Sequence, residues 1–533
     1  MKNITYDLIE KLESLQDHEA AGEEILSGTD DSLYYCTLSP DRVNVLDSLP
    51  WHKSMRVLQL GACGGVFSEL SERTGRWDIL DCAEEELALV RLRFPKLCAK
   101  EDAKLCLLKE EETEEASYDA VVLFLSSLNS YAAQYAERGE DLQAIVKRAV
   151  SYVKPGGSFV FAADNKNALK LASGELPEEG LLYTEEAFIM SVRKELPFAA
   201  SKLYFPLPDA LFAVNIFSEE RLPGSGDFKG ISESFLSERY CSGNEETLYE
   251  RISEAGVFPH FAPSYLLILQ GKCAPEEKQS AGAVLHSDDK AVPKEEKASR
   301  IPQFPVYSRF NRRRAAGYRL KTDIFMTSDG EKTVRKTALS EEANAHVEGF
   351  GDRYELLKGG DDRLFVLPSE KGVTEDGRAF AGFPYVKGKE LGTWLSDRIR
   401  LGQAPVQEME EALGILMGDT DCPCHNLDAL FENVMIRETS GELQYVLLDY
   451  EWVFPEELDR RFVRWRILSY WYEAHRQALY AYADRQAFFS CFGLQPEELP
   501  GFEEKEAHSS SLSEAVMRIL RRSSESPIRR RPM

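Results

Sequence analysis

Four residues in the second half of the chain have types and spacing suited to phosphate chemistry. Asp428 is followed five positions later by Asn433, within His425-Asn426-Leu427-Asp428-Ala429-Leu430-Phe431-Glu432-Asn433. The next apolar run, YVLLDYEWVF, ends in Asp449-Tyr450-Glu451, and KTVRKTAL upstream carries Lys336. Phosphoryl transfer needs a cation over the donor phosphates, oxygen ligands for a metal and a carboxylate that orients the attacking hydroxyl. Lys336 would be the cation, Asn433 and Asp449 the metal ligands, and Asp428 the orienting acid. A second constellation stands near the start. The run MRVLQLG leads into Gly61-Ala62-Cys63-Gly64-Gly65, where glycines let the chain turn sharply and let a ligand approach bare backbone. The next apolar run ends at Asp81, placed for ribose hydroxyls, and Asp102 falls where a third strand should end, within reach of an adenine amino group.

The elements that must position these residues follow from hydrophobic pattern. Runs at 55–61, 77–81, 118–125 and 158–163 read as buried strands, and VFSELSER after the glycine turn reads as a helix. Leu142, Ile145, Val146, Ala149, Val150 and Val153 share a helical face, which Lys154-Pro155-Gly156-Gly157 ends. Alternating strands and helices imply an α/β body with a Rossmann-like, doubly wound parallel sheet, which binds ligands at the carboxyl ends of its strands. The second body reads as α+β. It opens with a hairpin, YRLKTDIFM and KTVRKTAL about Ser328-Asp329-Gly330, then an acidic helix, SEEANAHVEGF, where Glu342 and Glu348 are both candidates to pair Lys336. FAGFPYVKGKEL follows as a strand into Gly388 and a helix at Leu391.

A chain of 533 residues suggests two to four domains. The expected division is 1–272, a flexible linker at 273–303, a second body at 304–502 and a polar, basic tail at 503–533. The net charge of −26 argues against nucleic acid as a partner, because phosphate binding needs clustered Lys and Arg. Ten cysteines are too sparse for a disulfide framework, and Cys422, Cys424 and His425 lack a second ligand pair for a metal. The N-terminal stretch reads as an amphipathic helix rather than a signal peptide, and no apolar run nears the roughly 20 residues that span a bilayer. A soluble, cytoplasmic protein is expected. Leu512, Ala515, Val516, Ile519 and Leu520 share one helical face, and residues 518–533 hold six arginines against one glutamate. Such a tail suits docking on an anionic membrane surface or a protein, or packing on its own domain.

Over residues 50–270 the chain resembles class I S-adenosylmethionine-dependent methyltransferases. The resemblance implies S-adenosylmethionine held by the 59–65 turn (Gln59, Gly61, Cys63 and Gly65), with Asp81 on the ribose and Asp102 near the adenine. Such families usually have an acid where Gln59 stands and glycine where Cys63 stands. ADNKNALKLASG (163–174) and YFPLPDALFAVNIFSEERLP (204–223) resemble segments of bacterial methyltransferases of surface-polysaccharide synthesis. The second body resembles kinase-like phosphotransferases of the aminoglycoside- and choline-kinase type. That implies ATP and Mg²⁺, with Asp428 as catalytic acid, Asn433 and Asp449 as metal ligands and Lys336 on the phosphates. Here Asn426 stands where His is usual, and no glycine-rich loop precedes Lys336. The two-body order is similar to bifunctional enzymes that methylate and phosphorylate a growing bacterial glycan, implying a glycan or sugar-phosphate acceptor. Two alternatives stand beside it: a scaffold that binds without turnover, and a methyltransferase or kinase acting on a small molecule.

Overall fold

The computed structural model describes residues 2–14, 25, 32–98, 105–125, 129–172, 184–196, 198–224, 226–228, 231, 244–271, 304–327, 329–418, 425–439, 442–455, 457–479 and 484–509. Asp102, the expected linker and the arginine-rich tail lie outside them. The chain forms two compact units that part between Ser308 and Arg309. Among the described residues, no helix is long and apolar enough to cross a membrane.

The first unit is built on β1 (Arg56–Leu60), β2 (Arg76–Leu80), β3 (Leu105–Leu108), β4 (Tyr118–Phe124) and β5 (Val153–Asp164). All five run parallel in the order 3-2-1-4-5. Two antiparallel steps extend the sheet past β5: β8 (Ser264–Gln270) pairs β5, and β6 (Ala200–Leu207) pairs β8. β7 (Asn215–Ser218) then pairs β6. Val57, Leu58 and Leu60 are wholly buried, as strands covered on both faces require. The helix Leu142–Ser151 buries Ile145, Val146 and Ala149, and Asp141 caps it by accepting from the Ala144 amide.

Three local expectations are corrected. VFSELSER is not an α-helix: residues 68–73 form a 3₁₀ turn, in which Phe67 and Leu70 reach the core three positions apart. Lys154–Gly157 is not a turn between helix and strand but the irregular start of β5. Its pairing with β4 slips between Tyr118 and Ala120, so the two glycines are absorbed as a bulge. The third strand begins at Leu105, after Asp102 rather than before it. LCLL is only four residues long and lies between acidic stretches, too short a pattern to place from periodicity.

In the second unit, the hairpin Leu320–Met326 with Lys332–Ala338 forms as expected, and strands Ala379–Pro384 and Glu370–Val373 continue its antiparallel sheet. Lys336 lies between Thr322 and Ala381 in register. A second sheet holds Leu364–Val366, Glu442–Leu447, Val434–Thr439 and Lys389–Glu390, in that order. Helices Leu391–Arg400, Val406–Met417 and Arg460–Leu479 bury Leu395, Leu413 and Trp471 in a core shared with Phe431 and Tyr450. Asp428 precedes a 3₁₀ turn, Phe431–Asn433, that opens one strand of this sheet, and Asp449 lies two residues beyond its partner.

Candidate functional sites

At the carboxyl ends of β1 and β2 the structure brings the glycine turn and Asp81 together. Asp81 is buried, and its carboxylate accepts from the amides of Ala62 (2.6 Å) and Ala83 (3.0 Å) and from Ser130 Oγ (2.7 Å). Burial pushes its pKa above the usual carboxylate range, against these hydrogen bonds. Gln59 is buried too. Its amide donates to the carbonyls of Gly61 (2.7 Å) and Ala62 (3.2 Å) and accepts from Trp77 Nε1 (2.9 Å), so its side chain holds the turn from beneath. Cys63 is wholly buried with φ 51°, and Gly61, Gly64 and Gly65 also have positive φ.

The turn's polar backbone is taken up within the unit. Arg42 donates to the Cys63 carbonyl at 3.2 Å, and Arg93 donates to that of Gly64. The Gly64 amide donates to Glu86 (3.1 Å), whose other oxygen accepts from Thr5 on the N-terminal helix Lys2–Ser14 (2.8 Å). Asn129, just past β4, lies over Gly61: a Cβ built there would be 2.2 Å from Asn129 Oδ1. Sequence reasoning missed Asn129, Ser130, Glu86, Arg42 and Arg93. Only the polar Asn-Ser pair following the β4 run was a signal, since a polar pair at the carboxyl end of a parallel strand faces the ligand crevice.

The two segments singled out for their resemblance also meet. At the end of β5, Asp164 accepts from Ser264 Oγ (2.5 Å) and Lys170 (2.9 Å), and Lys170 lies 3.6 Å from Asp209. Burial pushes the Asp209 carboxyl up, Lys170 opposing.

In the second unit Lys336, Asp428, Asn433 and Asp449 share one buried cluster. Lys336 Nζ is 2.6 Å from both Asp449 Oδ1 and Glu451 Oε1. Neither Glu342 nor Glu348 is its partner: both are exposed, and Glu451 takes that place from the strand-end string. Burial works against the ammonium, but Asp449 and Glu451 outweigh it and hold Lys336 above its ordinary range. Glu451 also accepts from Arg314, with His346 Nε2 at 3.8 Å. Although burial opposes its ionisation, Lys336 and Arg314 hold Glu451 well below the usual carboxylate value. Asp428 is pushed up to about 7 by burial, Asp449 and Glu451. Its carboxylate accepts from the Trp452 amide (2.8 Å), and its own amide donates to Asn426 Oδ1 (2.7 Å). Asn433 Nδ2 donates to the Asp428 carbonyl at 3.0 Å, orienting its amide. Burial and Glu451 raise Asp449 while Lys336 opposes them; the carboxylate and amide oxygens of Asp449 and Asn433 are of the hard type that Mg²⁺ takes. Sequence reasoning passed over Arg314 and His346, which nothing in the local pattern marks.

No family model matches the chain. A stretch of 145 residues is 30% identical to the human mitochondrial ubiquinone biosynthesis O-methyltransferase, covering 25% of this chain and 37% of that protein. Another, of 134 residues, is 28% identical to the ubiquinone biosynthesis O-methyltransferase of Neisseria meningitidis serogroup C (strain 053442), covering 24% and 52%. The chain therefore spans about a third to a half of the length of these curated relatives. Among solved structures, Haemonchus contortus phosphoethanolamine N-methyltransferase 1, in complex with phosphoethanolamine and S-adenosylhomocysteine, is 11% identical with TM-score 0.29, covering 52% of this chain and 50% of that one. WbdD, co-crystallised with the kinase inhibitor LY294002, is 13% identical with TM-score 0.25, covering 91% and 88%. At such scores these likenesses add no weight. The 3-2-1-4-5 parallel order, its antiparallel extension and the O-methyltransferase matches together give the first unit the class I methyltransferase fold.

Proposed function

We propose that the chain is an S-adenosylmethionine-dependent O-methyltransferase joined to an ATP- and Mg²⁺-dependent phosphotransferase, acting on a bacterial surface glycan or its sugar-phosphate precursor. One observation carries the methyltransferase reading: the 2.6 Å bond from the Ala62 amide to Asp81, which draws the glycine turn and the acid after β2 into one crevice. The fit to the cofactor lies in Asp81, where a ribose hydroxyl would replace the Ser130 hydroxyl donor for donor. The cofactor, when bound, supplies an electrophilic methyl group. The chain's part is to place an acceptor oxygen in line with it, which needs positioning more than acid–base help. Acceptors on such sheets enter at the carboxyl edge, where Asp164, Lys170 and Asp209 stand. The phosphotransferase reading is supported by the convergence of Lys336, Asp428, Asn433 and Asp449. Asp449 and the Asn433 amide oxygen are hard donors suited to Mg²⁺, and Asp428 would orient the acceptor hydroxyl. The basic tail would dock the protein at the inner face of a membrane.

A second reading, a scaffold that binds without turnover, is favoured by the enclosure of the turn, whose backbone groups are engaged by Gln59, Arg42, Arg93 and Glu86. Calorimetric titration of the intact chain with S-adenosylmethionine and, separately, Mg-ATP tests whether each site takes its ligand, and methyl and phosphoryl transfer to a glycan acceptor then separates enzyme from scaffold. Two binding events are expected, and Asp81→Ala should weaken the first by about 1–3 kcal/mol through lost hydrogen bonds to a charged group. No heat from S-adenosylmethionine at millimolar concentration would reduce the methyltransferase reading to a statement about fold.

A further inference from the structure

The segment 311–319 leads into the strand Leu320–Met326 and is closed at its base by the Asn311 amide on the Leu320 carbonyl, 2.9 Å. It carries Arg312, Arg313 and Arg314 but a single glycine, Gly317. Arg319 Nε donates to the Arg314 carbonyl (2.8 Å), and Ser340 Oγ to that of Ala316 (3.1 Å), so the segment is tied down at Arg314 and two residues beyond it. The guanidinium, one-fifth exposed, lies 5.6 Å from the Trp452 ring and donates to Glu451, which Lys336 already contacts at 2.6 Å. Lys336 is shared between Asp449 and Glu451, and Arg314 brings a second full cation to this pair of carboxylates. Asp449 and Glu451 hold these cations, and Asp428, whose carboxylate accepts from the Trp452 amide, belongs to the same cluster.

We propose that Arg314 is a nucleotide phosphate-binding residue, doing with a guanidinium what a glycine-rich loop does with backbone amides. The inference rests on the phosphotransferase reading of this unit. Without nucleotide the guanidinium is held on Glu451. Asp449 would hold the metal of a nucleoside polyphosphate, Lys336 would stay on Glu451, and Arg314 would turn its planar fork to the phosphate oxygens. Arginine suits this exchange because its several donors can serve a carboxylate and a phosphate at once, whereas a lysine is a single point charge. The tethered backbone limits the movement to the side chain.

The experiment is calorimetric titration of the full chain, wild type and Arg314→Ala, with Mg-ATP and with adenosine. Loss of one charge-assisted contact should lower Mg-ATP affinity about ten- to a hundredfold and leave adenosine affinity within about twofold. Arg314→Lys should recover part of the loss. Arg314→Gln, which keeps a donor for Glu451 without the charge, gives the same readout if the alanine variant does not fold. Mg-ATP affinity unchanged or tightened in Arg314→Ala would overturn the proposal and leave the phosphotransferase reading standing. Wild type that binds neither Mg-ATP nor adenosine would overturn both.

Discussion

Gly61 reads as a residue kept small for a ligand, yet the group that crowds it belongs to the protein. Its φ of 93° and the 2.2 Å that would separate an added Cβ from Asn129 Oδ1 leave no room for a side chain. Gly61→Ala should therefore cost about 2 kcal/mol or more in chemical denaturation. Asn129→Ala removes the obstructing amide but also its bonds to the Leu60 and Phe124 carbonyls. The double variant should then cost clearly less than the sum of the two, and strict additivity would mean that the contact is not what excludes alanine. Asp81 makes a prediction in pH. Burial raises its folded pKa above the unfolded value of about 3.9, so its contribution to stability is fully present below that pH and is lost as pH rises through the folded value. Asp81→Asn cannot titrate. The melting temperature of wild type minus that of the variant should fall as pH rises above about 4, and a flat difference would show that folding does not shift the carboxyl's pKa.

Among the elements, the helix Lys2–Ser14 has a role its amphipathic pattern does not state. Leu8 and Leu12 are buried, as the pattern requires, but Thr5 also connects the helix to the glycine turn through the two oxygens of Glu86. Burial raises the Glu86 carboxyl, so losing one donor is costly. Thr5→Val, nearly the same shape without the hydroxyl, should destabilise the first unit by about 1–3 kcal/mol. Hydrogen exchange should accelerate in residues 2–14 and also at 61–65; acceleration confined to the helix would show that the tie carries nothing to the turn. The same scale separates what was legible. Long apolar runs such as YDAVVLFL became strands where expected, because burial sets a period that many residues share; the Leu142 helix kept Ile145, Val146 and Ala149 on its buried face, but Val153, expected on that face, opens β5. The third strand was misplaced because LCLL offers only four residues, and VFSELSER failed because two core residues three positions apart, Phe67 and Leu70, fit an α-helix and a 3₁₀ turn alike.

For the whole molecule, the described residues assign more to the first unit than the expected boundary at 272. The Pro305 carbonyl accepts from Tyr204 (2.9 Å), and the Tyr307 hydroxyl donates to Asn215 (2.8 Å). The Tyr307 ring lies 4.9 Å from that of Phe217 and 4.0 Å from the Arg221 guanidinium carbon. A fragment of residues 1–308 should therefore melt at least about 5 °C above 1–272, a gain of roughly 2 kcal/mol at this size. Equal melting temperatures would show that these contacts add nothing. In the intact chain, S-adenosylmethionine should raise one unfolding transition and Mg-ATP another, each by about 2.7 kcal/mol at a hundred times its dissociation constant. A single transition moved by both ligands would mean that the two units do not unfold independently.

Sequence alone determined the parallel core, the turn at its first strand, the acid after the second, the hairpin bearing Lys336 and the order of Asp428, Asn433 and Asp449. These depend on chain-local rules: apolar period, glycine at turns, and short spacings that survive folding. The tertiary structure decided the partners. Lys336 is held by Glu451, 115 positions away, and Arg314 reaches the same carboxylate across 137. Asn129, not a ligand, fills the space above Gly61, and Gln59 faces the turn from below. Partnership between distant polar groups is set by which strand ends and loops the packed core brings together. A buried charge takes whichever counter-charge arrives there, and no local pattern in the chain encodes that arrival.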